Sequence, residues 1–454
     1  MAELNPPAGV VEIARKFQAN GYECWAVGGA VRDAFIGVSH ADWDLATDAR
    51  PKDMQELFRR TVPVGVEHGT VGIFASDGVM YEVTTFRRDV ETTGRHAVVQ
   101  FASDIRDDLA RRDFTINALA WNPLTQEMLD PFGGMTDLQD GVLRTVGTAA
   151  DRFAEDWLRI LRALRFAGHF VLTFEPATWL ALTDSVEQLR GLSAERVREE
   201  LLKILAKTQH ASAALRLYES SGALRVLYPE LHAMVGVSPP DGSGDVWQRT
   251  LIAVDAIPRT RVQLRLAALL HGAGVPAARS RDLRGGWSYA GHEPIGQRKA
   301  EEVLRRLKAS NSDIEHVSRL VGLQSALFPP DAPDAGVRRW LTHVPAELRH
   351  DLFRLRIALW RAAQIDGAVD ADAFATGVRD LTERWQHVRK VLRAAPPLSI
   401  NDLAVDGGDL KGLGMPPGPR YGEILRDLLD RVLEDPSLNE RETLVAIVRA
   451  EHMA

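Results

Sequence analysis

The sequence predicts an α/β head followed by a long all-helical remainder, and three observations point there. Short β-rich runs alternate with helical ones over residues 1–145. From about residue 150 onward, apolar residues recur at helical spacing with few strand signals. Proline- and glycine-rich breaks at 239–244, 329–336 and Pro396-Pro397 then divide the helical part. A chain of 454 residues fits about two to four domains. We divide it into a head (1–145), a neck (146–238), a body (239–395) and a tail (396–454).

The elements follow in order. The apolar run 22–27 reads as a strand entering a tight turn at Gly28-Gly29. Further head strands are expected at 43–46, 70–74, 81–86 and 143–145. In the helical part, Leu158, Leu161 and Leu164 with Arg165 repeat at helical spacing, as do Leu201, Leu202 and Leu205. Ser193 is placed as the N-cap of a helix over 194–206. Near the end, 406–410 and 414–419 precede a helix starting around Arg420.

Composition sets limits. Hydrophobic residues at 45% and charged residues at 26% are ordinary for a globular protein with an ample core. The net charge of −7 excludes a global basic field, so any nucleic-acid contact must use a local basic face. Cys24 is the sole cysteine, which rules out intrachain disulfides and cysteine metal clusters. No cleavable signal pattern and no membrane-length apolar run is read, so the expected compartment is the cytoplasm, with no membrane partner.

The chemistry concentrates in Gly28-Gly29-Ala30-Val31-Arg32-Asp33, followed by Asp42-Trp43-Asp44. Glycines let backbone N–H groups approach phosphate oxygens, and a following helix adds its positive end. Arg32 is a phosphate clamp whose planar fork suits phosphate, or else pairs with Asp33. On one strand, Asp42 and Asp44 share a face, where two carboxylates can hold Mg²⁺ ions for in-line displacement at phosphorus. Glu82, on a neighbouring expected strand, is a third acidic candidate or a cross-strand ion-pair partner. Neither Gly-x-Gly-x-x-Gly nor a Gly-Lys-Ser/Thr loop is present, so dinucleotide-fold and P-loop readings fall away.

Downstream motifs carry a family resemblance. They are 81–87 (Tyr-Glu-Val-Thr-Thr-Phe-Arg), Arg111-Arg112-Asp113 with Asn117, Glu155-Asp156 with Arg159, and Ser193-Ala194-Glu195-Arg196. In this order and spacing they resemble the class II tRNA nucleotidyltransferases, the CCA-adding enzymes with their bacterial poly(A) polymerase relatives. The resemblance is dense over roughly the first 205 residues and returns in 407–439. It implies a polymerase-beta-like nucleotidyltransferase head with an all-α neck, body and tail. It also implies tRNA as partner, CTP and ATP as substrates, Mg²⁺ held by Asp42 and Asp44, and no DNA.

Further roles follow from that resemblance. Arg112, Asp113 and Asn117 would read the ribose, with Asp113 accepting from a 2′-hydroxyl. Asp156 and Arg159 stand three apart, a spacing that shares a helix face. An acceptor beside a donor matches cytosine and adenine and leaves guanine and uracil with unpaired polar groups. Arg162 and Arg165 continue that helix toward RNA or triphosphate. The glycine-rich 130–134 with Asp137 resembles a hinge between head and neck, or is a plain loop. Ser193–Arg196 is expected to brace the template helix. Residues 88–101 resemble the loop that switches C to A addition, with Thr93 and Val98 where relatives often carry acids.

The body resembles a broken HD phosphohydrolase module. Gly272 follows His271 where the metal-binding aspartate belongs, Arg249 stands at the upstream histidine, and His292 follows later. His271 and His292 are therefore read as packing or surface residues. The tail helix is expected to rest on the tRNA body. Alternatives are a CC-adding or A-adding relative, a poly(A) polymerase, and, from another class, a non-catalytic RNA-binding protein.

Overall fold

A computed structural model describes residues 4–37, 43–93, 96–240, 244–281 and 287–453, with backbone alone over 89–99. The chain forms two compact units, 1–228 and 229–454.

The first unit opens with α1 (Ala8–Ala19), β1 (Cys24–Val27) and α2 (Gly29–Phe35). Then come β2 (Asp44–Thr47), α3 (Pro51–Leu57), β3 (Thr61–Gly65), β4 (Thr70–Phe74) and β5 (Met80–Thr85). A ribbon of β6 (Arg87–Thr93) and β7 (His96–Phe101), helix α4 (Ile105–Ala110), and the short strands β8 (Ala120–Trp121) and β9 (Met128–Leu129) complete the head. One seven-stranded sheet runs β3-β4-β5-β2-β1-β8-β9. Its centre is mixed: β1 pairs antiparallel with β2 and β8, while β2 pairs parallel with β5. One apolar layer gathers Ile13, Phe17, Leu45, Val71 and Val83; the other gathers Trp25, Val27, Ala46, Phe86 and Leu109. Cys24 lies buried in β1, and burial pushes its thiol pKa up.

The first 145 residues also carry α5 (Gly134–Gln139); the helices that follow are α6 (Ala149–Glu155), α7 (Leu158–Phe170), α8 (Pro176–Asp184), α9 (Ala194–Lys207) and α10 (Ala211–Ser220). Helix α7 buries Ile160, Leu161, Leu164 and Ala167, so two of its three repeat leucines face the core, while Leu158 is half-buried. It crosses α10 so closely that a Cβ on Gly168 would collide with Ala214.

Three expectations need correction. The strand at 143–145 is instead the pair Val142–Leu143, which lies parallel to Thr173–Phe174 outside the head sheet. The segment 88–101 is a paired antiparallel ribbon rather than a loop. Ser193 does precede α9, yet its side chain makes no capping hydrogen bond.

The second unit is built mainly of helices, including Val246–Asp255, Val262–Leu270, His292–Arg306, Asn311–Leu323, Ala346–Ile365 and Ala371–Arg393. Its last helices, Arg420–Glu434 and Arg441–Glu451, pack Ile424, Leu428, Val432, Leu444 and Val448 into one cluster. Arg420 starts its helix as expected, and Asp406 caps the preceding turn through the Gly408 and Asp409 amides. No described helix is long and apolar enough to cross a membrane.

Candidate active site

The cleft of the first unit, about 770 Å³, is formed by the sheet face, the segment 108–117 and α7. Gly28 adopts φ +71° at the end of β1, a left-handed turn that favours glycine. A Cβ there would meet Arg112 Nη1 at 2.7 Å, so the guanidinium fills the space a side chain would take. Gly28 and Gly29 thus present bare backbone to the cleft.

Asp44 begins β2 with an exposed side chain at the cleft wall. Leu45 pairs with Val83, so Asp44 and Glu82 are neighbours across two parallel strands, roughly 4.8 Å apart by strand spacing. Both line the cleft with Thr84, whose hydroxyl bonds that of Thr70 at 3.0 Å. Phe86 is fully buried in the same layer as Val27 and Ala46 of the cleft floor. Asp42 lies outside the described residues. Two exposed carboxylates on adjacent strands supply hard oxygen ligands and fit a divalent cation. Among the described residues, no cluster of three potential ligands is assembled.

The segment 111–117 is held from several sides. Asp113 accepts from Arg162 Nε at 2.7 Å, Asn117 Nδ2 at 2.9 Å and the Phe114 amide at 2.9 Å. Burial opposes its ionisation, but Arg162 and these donors outweigh it and hold its carboxyl below the usual range. Asp113 in turn raises the Arg162 guanidinium. Arg112 donates to Asp108 at 3.1 Å and to the Asn117 carbonyl at 3.3 Å. Below this turn, Gly134 leaves no room for a Cβ against the Thr115 carbonyl. Asp130 accepts from the Gly134 and Met135 amides at 2.7 and 2.9 Å, and Asp137 binds the Thr115 hydroxyl at 2.7 Å. The glycine-rich segment is a wedge that sets the 115–117 turn.

Arg32 is nearly buried, and each guanidinium nitrogen has a protein partner: Nε and Nη2 meet Asp33 at 2.8 and 2.7 Å, and Nη1 donates to Asn117 Oδ1. Its guanidinium lies 4.4 Å from the Phe170 ring and 5.2 Å from the Phe166 ring. The pairing with Asp33 is therefore present, and Arg32 still borders the cleft.

Asp156 and Arg159 both line the cleft, but not on one helix. Helix α6 ends at Glu155, and Asp156 takes extended dihedrals before α7 begins. Its Oδ1 accepts from the Leu158 amide at 3.0 Å, capping α7, while Oδ2 accepts from Arg196 at 2.6 Å. Arg159 pairs with Glu155 and donates to the Arg111 carbonyl at 3.2 Å. The two side chains thus meet the cleft held by separate partners.

Arg165 is a correction: it does not line the cleft. One turn beyond Arg162, it faces α9 and pairs at 2.6 Å with Glu200, which is 1% exposed. Arg196 bonds Asp156, in keeping with the bracing role read for 193–196, and Arg111 of the quoted arginine motif lines the cleft; Glu200 on α9 and Lys207 at the cleft wall were missed. The motif at Ser193 signalled Arg196; nothing marked Glu200.

In the second unit, Arg249, His271 and His292 line one cavity. Gly272 does not face an empty ligand position, because a Cβ there would meet Val246 Cγ1 at 2.7 Å.

A nucleotide-sized cleft with paired strand carboxylates and an arginine-rich wall defines the nucleotidyltransferase class. Residues 24–144 match the Poly A polymerase head domain, 172–235 the RNA and SrmB binding site of polymerase A, and 293–448 tRNA nucleotidyltransferase domain 2. The chain is 33% identical over 444 residues to a CCA-adding enzyme of Levilactobacillus brevis, covering 96% of each chain. It is 31% identical to that of Lactiplantibacillus plantarum over 444 residues, covering 96% of this chain and 94% of the relative. The crystal structure of the Bacillus stearothermophilus CCA-adding enzyme in complex with CTP superposes with a TM-score of 0.71 at 26% identity, covering 98% of both chains. The chain belongs to the CCA-adding enzyme family, whose nucleotidyl transfer depends on a divalent metal.

Proposed function

We propose that this protein builds or repairs the 3′-CCA end of tRNA in the cytoplasm, from CTP and ATP, without a nucleic-acid template. The observation that carries the reading is the single cleft in which Asp44 and Glu82 face a wall bearing Asp156 and Arg159. Asp44, with Asp42 beside it in sequence and Glu82 across the sheet, would hold Mg²⁺. Bound there, the metal lowers the pKa of an attacking 3′-hydroxyl and offsets triphosphate charge.

The chain's own residues do the rest. Backbone at Gly28 and Gly29 accepts close approach of phosphate oxygens. Arg111 and Arg112 border the same space and supply planar donors. Asp113 and Asn117 set the ribose wall, fixed by Arg162 and Arg32. Asp156 accepts the exocyclic amino group of cytosine or adenine, and Arg159 donates to the adjacent ring nitrogen. Each gives up part of its present pairing, Asp156 from Arg196 and Arg159 from Glu155. A guanine or uracil edge would set donor against donor and leave Asp156 without a partner.

The test uses tRNA transcripts ending before CCA, after C and after CC, each given the four nucleotides separately and mixed. Addition of C, C and A that then stops supports the reading. Stopping after CC, A-runs of indefinite length, or tRNA binding without incorporation overturns it.

A further inference from the structure

A second cavity, about 320 Å³, lies inside the second unit. Its polar lining is Arg249, His271, His292, Gln324, Ser325 and Arg356; Trp360 supplies an aromatic wall. These residues come from helices far apart in sequence, so the cavity is a product of tertiary packing. Trp360 is set in place by Gly377 of the neighbouring helix, which leaves no room there for a Cβ.

The donors and acceptors specify a ligand. The shielded Nε of Arg356 has no hydrogen-bond partner. Arg249 Nε is paired with Asp366 at 2.8 Å, so its charge is partly offset. Glu293 acts on Arg356 from nearby and sits 3.2 Å from His292. Both imidazoles have Nδ1 at a backbone carbonyl: His271 at 2.7 Å from Ala268 and His292 at 3.0 Å from Tyr289. A carbonyl only accepts, so Nδ1 of each ring carries a proton, and Nε2 of the His271 ring is an acceptor. Burial holds His271 neutral, with its pKa lowered to about 4. Gln324 spends an amide N–H on the His271 carbonyl at 3.0 Å, which leaves its oxygen as acceptor.

Two guanidinium groups oppose a divalent cation, and the His271 acceptor is poor company for a bare anion. The combination suits a molecule bearing an oxyanion, hydroxyl donors and a flat apolar part. We propose that this cavity binds a nucleoside monophosphate. Its phosphoryl group meets Arg249 and Arg356, its ribose hydroxyls donate to His271 and Gln324, and its base lies against Trp360. The volume falls within the range of small-molecule sites, at its lower end. The site is separate from the catalytic cleft and performs no chemistry of its own.

The experiment is hydrogen exchange and calorimetry on the full chain with AMP in EDTA, alongside CCA addition. The expected result is protection of 246–255 and 346–365 that persists in Arg159→Ala, which weakens the cleft. Arg356→Gln lowers AMP affinity about tenfold by removing a charged phosphate donor, with CCA addition unchanged. Ser325→Trp, which alters only an exposed lining position, abolishes the protection. The proposal is overturned if protection is confined to the first unit, if both variants bind as the parent does, or if inorganic phosphate binds as tightly as AMP. CCA addition by the parent protein reads the catalytic assignment independently of these outcomes.

Discussion

The cleft of the first unit and the cavity of the second are built on opposite electrostatic plans. In the cleft, carboxylates and guanidinium groups alternate, and several are held by a partner from another element: Asp113 by Arg162 and Asp156 by Arg196, with Glu200 held by Arg165 just behind the wall. In the cavity, the strand-borne carboxylates have no counterpart; Val246 occupies the space beside Gly272, and Arg249 lines the wall. The difference teaches what each can do. Exposed carboxylates beside guanidinium groups can gather a metal and a triphosphate together. Two guanidinium groups beside the neutral His271 ring suit an oxyanion carried on a larger molecule rather than a metal ion.

The sharpest break in this contrast is Asp44→Ala. It should lower kcat for nucleotide addition roughly a thousandfold, equivalent to about 4 kcal/mol of transition-state stabilisation. Asp44 is exposed, so the thermal midpoint should stay within about a degree of the parent's. A mutant retaining more than a tenth of the activity would remove Asp44 from the metal site.

Glu200→Gln tests whether the paired network is structural. Removing one partner leaves Arg165 buried and unmatched, which costs about 3 kcal/mol. The pH dependence carries a signature. Burial works against ionisation of Glu200, but Arg165 and Lys203 outweigh it and hold its carboxyl below the usual range. The stability it contributes is therefore complete above the unfolded value of about 4.3 and is lost as pH falls through the folded one. Urea midpoints measured from neutral pH down past 4 should fall less steeply in Glu200→Gln than in the parent.

Arg159→Ala should erase base selection rather than turnover. The ratio of CTP to UTP incorporation should drop about a hundredfold, with total incorporation reduced far less. An unchanged ratio would leave Arg159 as merely the partner of Glu155. The smallest effect is expected in the second unit. Gly272→Asp should bring no metal binding by calorimetry and should cost about 1–3 kcal/mol, because Val246 must move. Tight Mn²⁺ binding by that variant would mean the cavity differs from a metal site by one residue only.

Which parts were legible follows from these same residues. Gly28-Gly29, Arg112 through Asn117 and the leucine face of α7 were readable because local spacing and tertiary role coincide there. The short strands β8 and β9 were not, since two residues each carry no periodicity and exist through pairing with β1 and with each other. The break at Asp156 was hidden for a related reason. Asp156 fits a helical pattern by spacing, but its carboxylate caps the next helix instead. Glu200 sits in an amphipathic helix where a carboxylate normally faces water. Lys203 one turn on and Arg165 arriving from α7 make its burial tolerable, and the Arg165 contact spans 35 positions of sequence.

The buried thiol of Cys24 has a practical consequence. The chain's sole cysteine is enclosed in a central strand, with burial pushing its pKa upward, so at neutral pH it offers little thiolate to an alkylating reagent. The native sequence is thus already a labelling scaffold. One new surface cysteine, introduced near the mouth of either cavity, would accept a maleimide fluorophore selectively. Occupancy of the cleft and of the cavity could then be followed separately in otherwise unmodified protein.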